Sequence, residues 1–365
     1  MSEQIVTPYS VLRVGSAKGF FLLGSNLPTD IRRRDRFLIA AADSPEWRRG
    51  NENKEHNPGT VKLAIISKSW SPGVDVEYLY AQVGSQRPTV DVPVDFGDVL
   101  AGVAPFAVEH GLVGGHDGVT PVSIYNINTG QVVIAHVPTW GKGLGYEKYA
   151  PTERSSVDPS DRIRIDFLRT AGSVCGALLP TGRVIDNIGA FRATLIDNGK
   201  PLVIVRAAEL GKSGYETASD LGTDSTFRTR IEELRREAGQ LMKLGDVRSK
   251  NTPQVTLLAG AQRGGDIAAL TLMPQKYELS PAGSFLGVIT LGAACILPGS
   301  IAASMVTLPE GTVKRVVLEY PTGEFLVEME LQGMGAEVKV LRSSLICTAQ
   351  MVLSSKIAMP AAVLD

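Results

Sequence analysis

Thr60-Val61-Lys62-Leu63-Ala64-Ile65-Ile66-Ser67 carries a single charge in an otherwise apolar run. Side chains alternate along a strand, so Val61, Leu63 and Ile65 share one face and Lys62, Ala64 and Ile66 the other. Both faces read as buried. A lysine in such a setting is costly unless it is paired, neutral or beside a cavity. The alternative is an edge-strand lysine whose amine reaches solvent.

Outward from this strand, the chain is rich in short β-type runs punctuated by 38 glycines and 21 prolines. Strands are expected at Lys18–Leu23, Glu77–Val83, Val122–Ile127, Gln131–Val137, Arg162–Phe167, Gln254–Ala259, Val313–Tyr320 and Phe325–Leu331. An amphipathic helix is expected from Thr226 to Leu244, capped by Asp224 or Ser225. Two further helices, Asp98–His110 and Leu286–Ile296, are small and apolar all round, the texture of buried helices. The order strand, strand, glycine, buried helix occurs once before Gly111 and again before Gly299. That repeat points to two related α+β halves, each wrapping a sheet round a central helix, with a small-molecule cleft between them.

The 365 residues include 37 basic and 38 acidic side chains, so the net charge is −1. That balance gives no electrostatic footprint for nucleic acid or anionic membrane. No apolar run approaches the ~20 residues a membrane span needs, and Met1-Ser2-Glu3-Gln4 lacks a signal-peptide pattern. Cys175, Cys295 and Cys347 make neither a metal spacing nor a disulfide framework. The expectation is a cytoplasmic, cofactor-independent protein, monomer or homodimer, with a small-molecule partner. Gly15–Gly19 lacks phosphate-loop spacing, Gly141–Gly145 has no strand–helix context for a dinucleotide, and Arg32–Arg36 reads as the solvated face of a short helix.

Several segments, taken in order, resemble one family. Arg13-Val14-Gly15-Ser16-Ala17-Lys18-Gly19 is similar to the RGGTSKG opening of the PrpF-type 2-methylaconitate isomerase and 4-oxalomesaconate tautomerase family. Val61–Ser67 resembles its KVAIVS strand and Val76–Val83 its VDYLFAQV. Ala104–Val113 resembles GPFAIEEGLV, Ile124–Gly130 resembles IYxVNTG, and Ala171-Gly172-Ser173 with Leu178–Gly182 resembles AGSxTGKLLPTG. The resemblance implies a diaminopimelate-epimerase-like fold of two pseudo-symmetric halves, with the site between them. The expected division is 1–157, completed by 346–365, and 158–345. It also implies a cofactor-independent isomerase that moves a C=C bond in an unsaturated carboxylate, and Lys62 matches the family's catalytic lysine.

That chemistry needs a base at an allylic carbon, stabilisation of a dienolate, and an acid two carbons away. A lysine in an apolar wall is a suitable base. Backbone N–H groups after Gly97 and Gly283 are candidates to hold carboxylates, as are Arg13, Ser16 and Lys18. Ser173 joins them as a substrate-binding candidate through the AGS segment. The chain departs from the family where substrate is held and reprotonated. NCGN becomes Asp95-Phe96-Gly97-Asp98, so Phe96 takes the cysteine position, and the second-half counterpart falls near Thr290. Ser123 replaces an arginine, and the polar run Glu46–Asn57 replaces a glycine-rich loop. These changes predict a larger, less charged or more apolar substrate, as in specialised metabolism, with Asp95 and Asp98 as further proton-handling candidates and Phe96 facing Lys62. The alternatives are a cyclase or epimerase, or a non-catalytic binding protein.

Overall fold

Gln4–Val14 forms strand β1, which turns back through Gly15, at φ +54°, into β2 (Ala17–Leu23). Both lie in the first of two compact units, Met1–Ile165 with Cys347–Asp365; the second is Asp166–Ile346. The computed structural model describes residues 4–45, 47, 60–84, 88–139, 162–273, 284–321 and 323–364. Most of the run Glu46–Asn57, the segment Gly141–Gly145 and Gly283 fall outside the described residues.

In the first unit, helix α1 (Ile31–Asp43) connects β2 to β3 (Thr60–Lys68), and β3 pairs with β4 (Val76–Gly84), followed by the short β5 (Val90–Asp91). A single 3-10 turn, Leu100–Gly102, leads into α2 (Val103–Glu109), and then come β6 (Gly118–Asn126) and β7 (Gln131–Thr139). Antiparallel hairpins β1–β2, β3–β4 and β6–β7 are joined by parallel pairings of β2 with β3 and of β4 with β6. The C-terminal strand Ala349–Pro360 returns to pair with β1.

The central strands are covered on both sides. On one side Phe20, Leu22, Leu63 and Ile65 pack with Phe37, Leu38 and Ala41 of α1 and with Trp47, which stacks on Phe20 at 4.4 Å. On the other side Phe21 meets Phe106 of α2, ring centres 5.8 Å apart. A β-carbon on Gly102 would fall 2.4 Å from Phe21, so only glycine lets the 3-10 turn lie this close to the sheet. The helix expected from Asp98 therefore begins later. Pro105 has no N–H to give the carbonyl of Ala101, and the chain enters through the 3-10 turn instead.

The chain passes through β8 (Ile163–Phe167) into the second unit, which repeats the order. Hairpin β10 (Phe191–Asp197)–β11 (Pro201–Arg206) is flanked by β9 (Asp186–Ile188). Helices α3 (Ala218–Thr223) and α4 (Ser225–Leu241) lead to hairpin β12 (Gln254–Ala259)–β13 (Ile267–Leu272). Central helix α5 (Phe285–Ile296) precedes β14 (Val313–Tyr320), β15 (Gly323–Gln332) and β16 (Lys339–Cys347), with β17 the C-terminal strand of the first unit. Again the hairpins join through parallel pairs, β11 with β12 and β13 with β14.

Asp224 caps α4 by accepting the Phe227 N–H at 2.9 Å, and Phe227, Ile231, Leu234 and Ala238 bury the helix on its sheet. The helix stops at Leu241, short of the expected Leu244, because Lys243 and Gly245 turn left-handed. On the opposite side all of α5 except Ile296 is buried. Among the described residues no helix is long and apolar enough to cross a membrane.

Asn198 ties α5 to its surroundings. It accepts from Thr170 Oγ1 at 2.7 Å and donates to Ile289 O at 3.3 Å and Ser343 Oγ at 3.0 Å. Asn198→Ala leaves those buried groups unpaired, and we expect a loss of about 2–3 kcal/mol in urea unfolding at unchanged m-value. A loss below about 0.5 kcal/mol means that the helix is held by apolar packing alone.

Candidate active site

Lys62 lies directly opposite Gln82 in the β3–β4 hairpin, Ala64 opposite Tyr80 and Ile66 opposite Tyr78. Opposed residues of an antiparallel pair share a face, so Lys62, Gln82, Tyr80 and Tyr78 stand together on the α2 side of the sheet. Three features bring the 93–98 segment onto that face. Gly97 sits at φ +71°, and a β-carbon there would be 2.5 Å from the Tyr80 ring. Asp95 Oδ1 accepts the Phe96 N–H at 2.7 Å. Asn128 clamps strand and segment together, accepting the Tyr80 N–H and donating to both Tyr80 O and Pro93 O, each at 2.8 Å.

Asp98 is thereby delivered to Lys62. Its Oδ2 accepts a hydrogen bond from Lys62 Nζ in an ion pair whose side chains are 26 % and 24 % exposed. Asp98 Oδ1 is buried and has no hydrogen-bond partner among the described residues. Gln82 Nε2 donates to the Tyr80 hydroxyl at 2.6 Å. Burial, and after it the Asp98 carboxylate, push the Tyr80 phenol far above its ordinary pKa. Tyr78 is raised by burial first, then by Tyr80, Asp98 and Asp95. Both tyrosines are therefore neutral phenols. The group available for chemistry is an ammonium–carboxylate pair, partly open to solvent and backed by neutral dipoles.

Other residues singled out in the sequence are placed differently. Lys62 is not an isolated amine in an apolar wall; Asp98 compensates it. Phe96 is fully buried, so its ring presents no accessible surface opposite Lys62. Lys18 lies two residues from Phe20 on β2, and Arg13 pairs directly across from it. Alternation sets both on the α1 side of the sheet, the face opposite that of Lys62. Ser16 is exposed at the tip of the same hairpin. Ser123 pairs through its backbone with Asp75.

In the second unit, Ser173 is an exposed turn residue whose N–H donates to Thr170 O. Beside it, Asp197 Oδ2 gathers the N–H groups of Val174 and Cys175, and burial together with Asp197 pushes the Cys175 thiol up to about 12. Thr290 is fully buried in α5 and donates to Leu286 O at 2.7 Å, within its own helix. Ser284 caps α5 by accepting the Gly287 N–H at 3.1 Å.

Tyr80, Gln82 and Asn128 were not among the expected site residues. The first two were legible in principle, because Tyr78, Tyr80 and Gln82 recur at a spacing of two. Their register against Lys62 was not legible, since a seven-residue connection, 69–75, separates the strands.

The model of the family described as PrpF protein matches residues 4–360. A (4E)-oxalomesaconate Delta-isomerase of Novosphingobium sp. (strain KA1) is 38% identical over 343 residues, 94% of this chain and 94% of that protein. A 4-oxalomesaconate tautomerase of Pseudomonas putida is 36% identical over 349 residues, 93% and 95% of the two chains. The solved structure of a methylitaconate-delta-isomerase matches with a TM-score of 0.77 at 25% identity, covering 100% of this chain and 98% of that one.

The geometry makes Gly97 the hinge of the site. Gly97→Ala places a methyl group into the Tyr80 ring and adds a side chain at positive φ, so we expect about 2–4 kcal/mol lost in stability and a marked loss of activity. An alanine variant of parental melting temperature would mean that the segment relaxes without effort and that Asp98 is not held by this contact.

Proposed function

The chain belongs to the PrpF family, and from that premise we propose that it is an isomerase moving a C=C bond in an unsaturated carboxylate by proton transfer at carbon, with Lys62 as base and Asp98 as its acid partner. The observation that carries this reading is the Lys62–Asp98 ion pair on one face of β3. The relatives' names, an isomerase and a tautomerase of oxalomesaconate, supply the substrate class.

The steps balance without a net proton. Bound substrate displaces water from the pair, which weakens the case for two separated charges and favours transfer of a proton from Lys62 to Asp98 across their hydrogen bond. The amine then removes the allylic proton and becomes an ammonium. The electron pair moves through the double bond into the substrate's carbonyl or carboxylate. Asp98 returns its proton to the far carbon, which restores the resting pair. Keto–enol tautomerisation of an oxo acid uses the same two transfers with oxygen in place of one carbon. Phe96 supplies no proton at any step, and Asp98 makes one unnecessary.

Because Asp98 compensates Lys62, removing the amine uncovers a partly buried carboxylate. Lys62→Met is therefore expected to lower stability by about 1–2 kcal/mol, and not to leave it unchanged or raised as for an unpaired amine. With 4-oxalomesaconate as substrate, Lys62→Met and Asp98→Asn should each lose about 10²–10⁴ in kcat, the usual range for a general acid or base. Parental turnover in D₂O, followed by proton NMR, should place deuterium at the reprotonated carbon. Turnover by Lys62→Met within a few-fold of the parent would sink the lysine-base mechanism.

A further inference from the structure

We propose that Gln82 determines which substrates the site accepts: its carboxamide N–H, oriented by the Tyr80 phenol, donates to an oxo oxygen conjugated with the double bond that moves. The proposal deepens the isomerase reading by naming an unsaturated oxo acid as the substrate class, and it rests on that reading only for its kinetic readout.

Gln82 stands opposite Lys62 in the β3–β4 hairpin, and opposed side chains start about 5 Å apart, so amide and amine can reach one ligand. Gln82 Nε2 donates one of its two hydrogens to the Tyr80 oxygen at 2.6 Å. The other hydrogen has no acceptor among the described residues, and Gln82 is partly exposed. The phenol that orients the amide is itself fixed. Asn128 holds the tyrosine backbone through both its N–H and its C=O, and the Gly97 backbone lies against the ring. An amide anchored in this way presents its free N–H without first having to be ordered.

The other polar groups of this face are engaged or covered. Tyr78 and Tyr80 are buried, Asp98 Oδ1 is buried, and Lys62 and Asp98 Oδ2 hold each other. Among the described residues of the face, Gln82 is the neutral donor left with access to a ligand. When Lys62 removes the allylic proton, the electron pair moves through the double bond onto the oxo oxygen. The Gln82 N–H bonds that oxygen more strongly as negative charge collects there. The amide keeps its own proton, so the two transfers between Lys62, Asp98 and substrate balance as before. An acid without the oxo group leaves the amide unpartnered, which is how a site with a placed donor rejects an analogue lacking the acceptor.

The test compares 2-oxoglutarate with glutarate, two diacids that differ by one oxo group and carry no double bond to move, by titration calorimetry on the full chain. The parent should bind the oxo acid about tenfold more tightly, the size expected of one hydrogen bond. Gln82→Leu keeps the packing and loses the donor, so it should bind the two acids within about twofold of each other. With 4-oxalomesaconate, Gln82→Leu should lose about 10²–10³ in kcat while KM changes only a few-fold, because the bond is strongest in the transition state. A parent without the preference, or one that binds neither acid, overturns the proposal. So does a folded Gln82→Leu that keeps the preference or turns over 4-oxalomesaconate within about fivefold of the parental kcat. Should Gln82→Leu not fold, Gln82→Met removes the same donor, with the same expected losses and the same overturning results. A preference lost in Gln82→Leu, in protein that turns over no unsaturated acid, leaves Gln82 in place and removes the isomerase reading. Lys62-dependent turnover by a parent without the preference does the reverse.

Discussion

The central strands of each unit are covered on both faces, and this constraint governs what the sequence can place there. A sheet built of hairpins joined by parallel pairs has helices on both sides, so its inner strands bury most of their side chains. Any polar group in such a strand must carry its partner with it. Lys62 meets that requirement through Asp98 and Thr256 through Thr271 at 3.0 Å, as does Asn198, one residue past the end of β10, through three bonds. Only the first of these is partly exposed and charged. It is the place where the rule of internal satisfaction and access for a ligand coincide.

The elements easiest to read were those whose periodicity is unambiguous. Alternation marked β3 and β4, the helical stripe of Phe227, Ile231, Leu234 and Ala238 marked α4, and the small apolar run marked α5. Strands β10, β11 and β13 escaped because Leu195–Ile196, Leu202–Val205 and Ile267–Leu270 are continuous apolar runs, buried on both faces, in which no alternation remains. Strand β1 and the C-terminal strand escaped for the opposite reason. They form an outer ribbon in which exposed and buried residues mix irregularly, interrupted by a bulge at Val11/Leu12.

The structure brings together Lys62 and Asp98, both singled out in the sequence, and sets other singled-out residues apart from that pair, for one physical reason. Motif similarity identifies which residues are near a site in sequence, whereas the face on which a strand residue emerges depends on register. Arg13 and Lys18 belong to a recognisable segment, yet one step of alternation puts them on the α1 side. Thr290 belongs to the right helix but spends its hydroxyl on its own backbone. Asn128 carried no titratable group and so drew no notice, although three of its hydrogen bonds decide where Asp98 lies.

The burial of Phe96 changes what can be argued about the substrate. An aromatic ring lining the reaction space would favour an apolar ligand, but the Phe96 ring has no accessible surface to offer one. The groups that do share the face with Lys62 are Asp98, Gln82 and two neutral phenols. Lys62 and Asp98 compensate each other, Asp95 adds a carboxylate that bears on both phenols, and amide and hydroxyl dipoles supply the remaining polarity. A ligand offering a carbonyl or enol oxygen to Gln82 and the lysine loses little on leaving water. A purely apolar one would leave a charged pair desolvated without compensation, at a cost of several kcal/mol per ion in the limit of full burial. The groups on this face therefore favour a ligand that carries a hydrogen-bonding oxygen over a purely hydrophobic one.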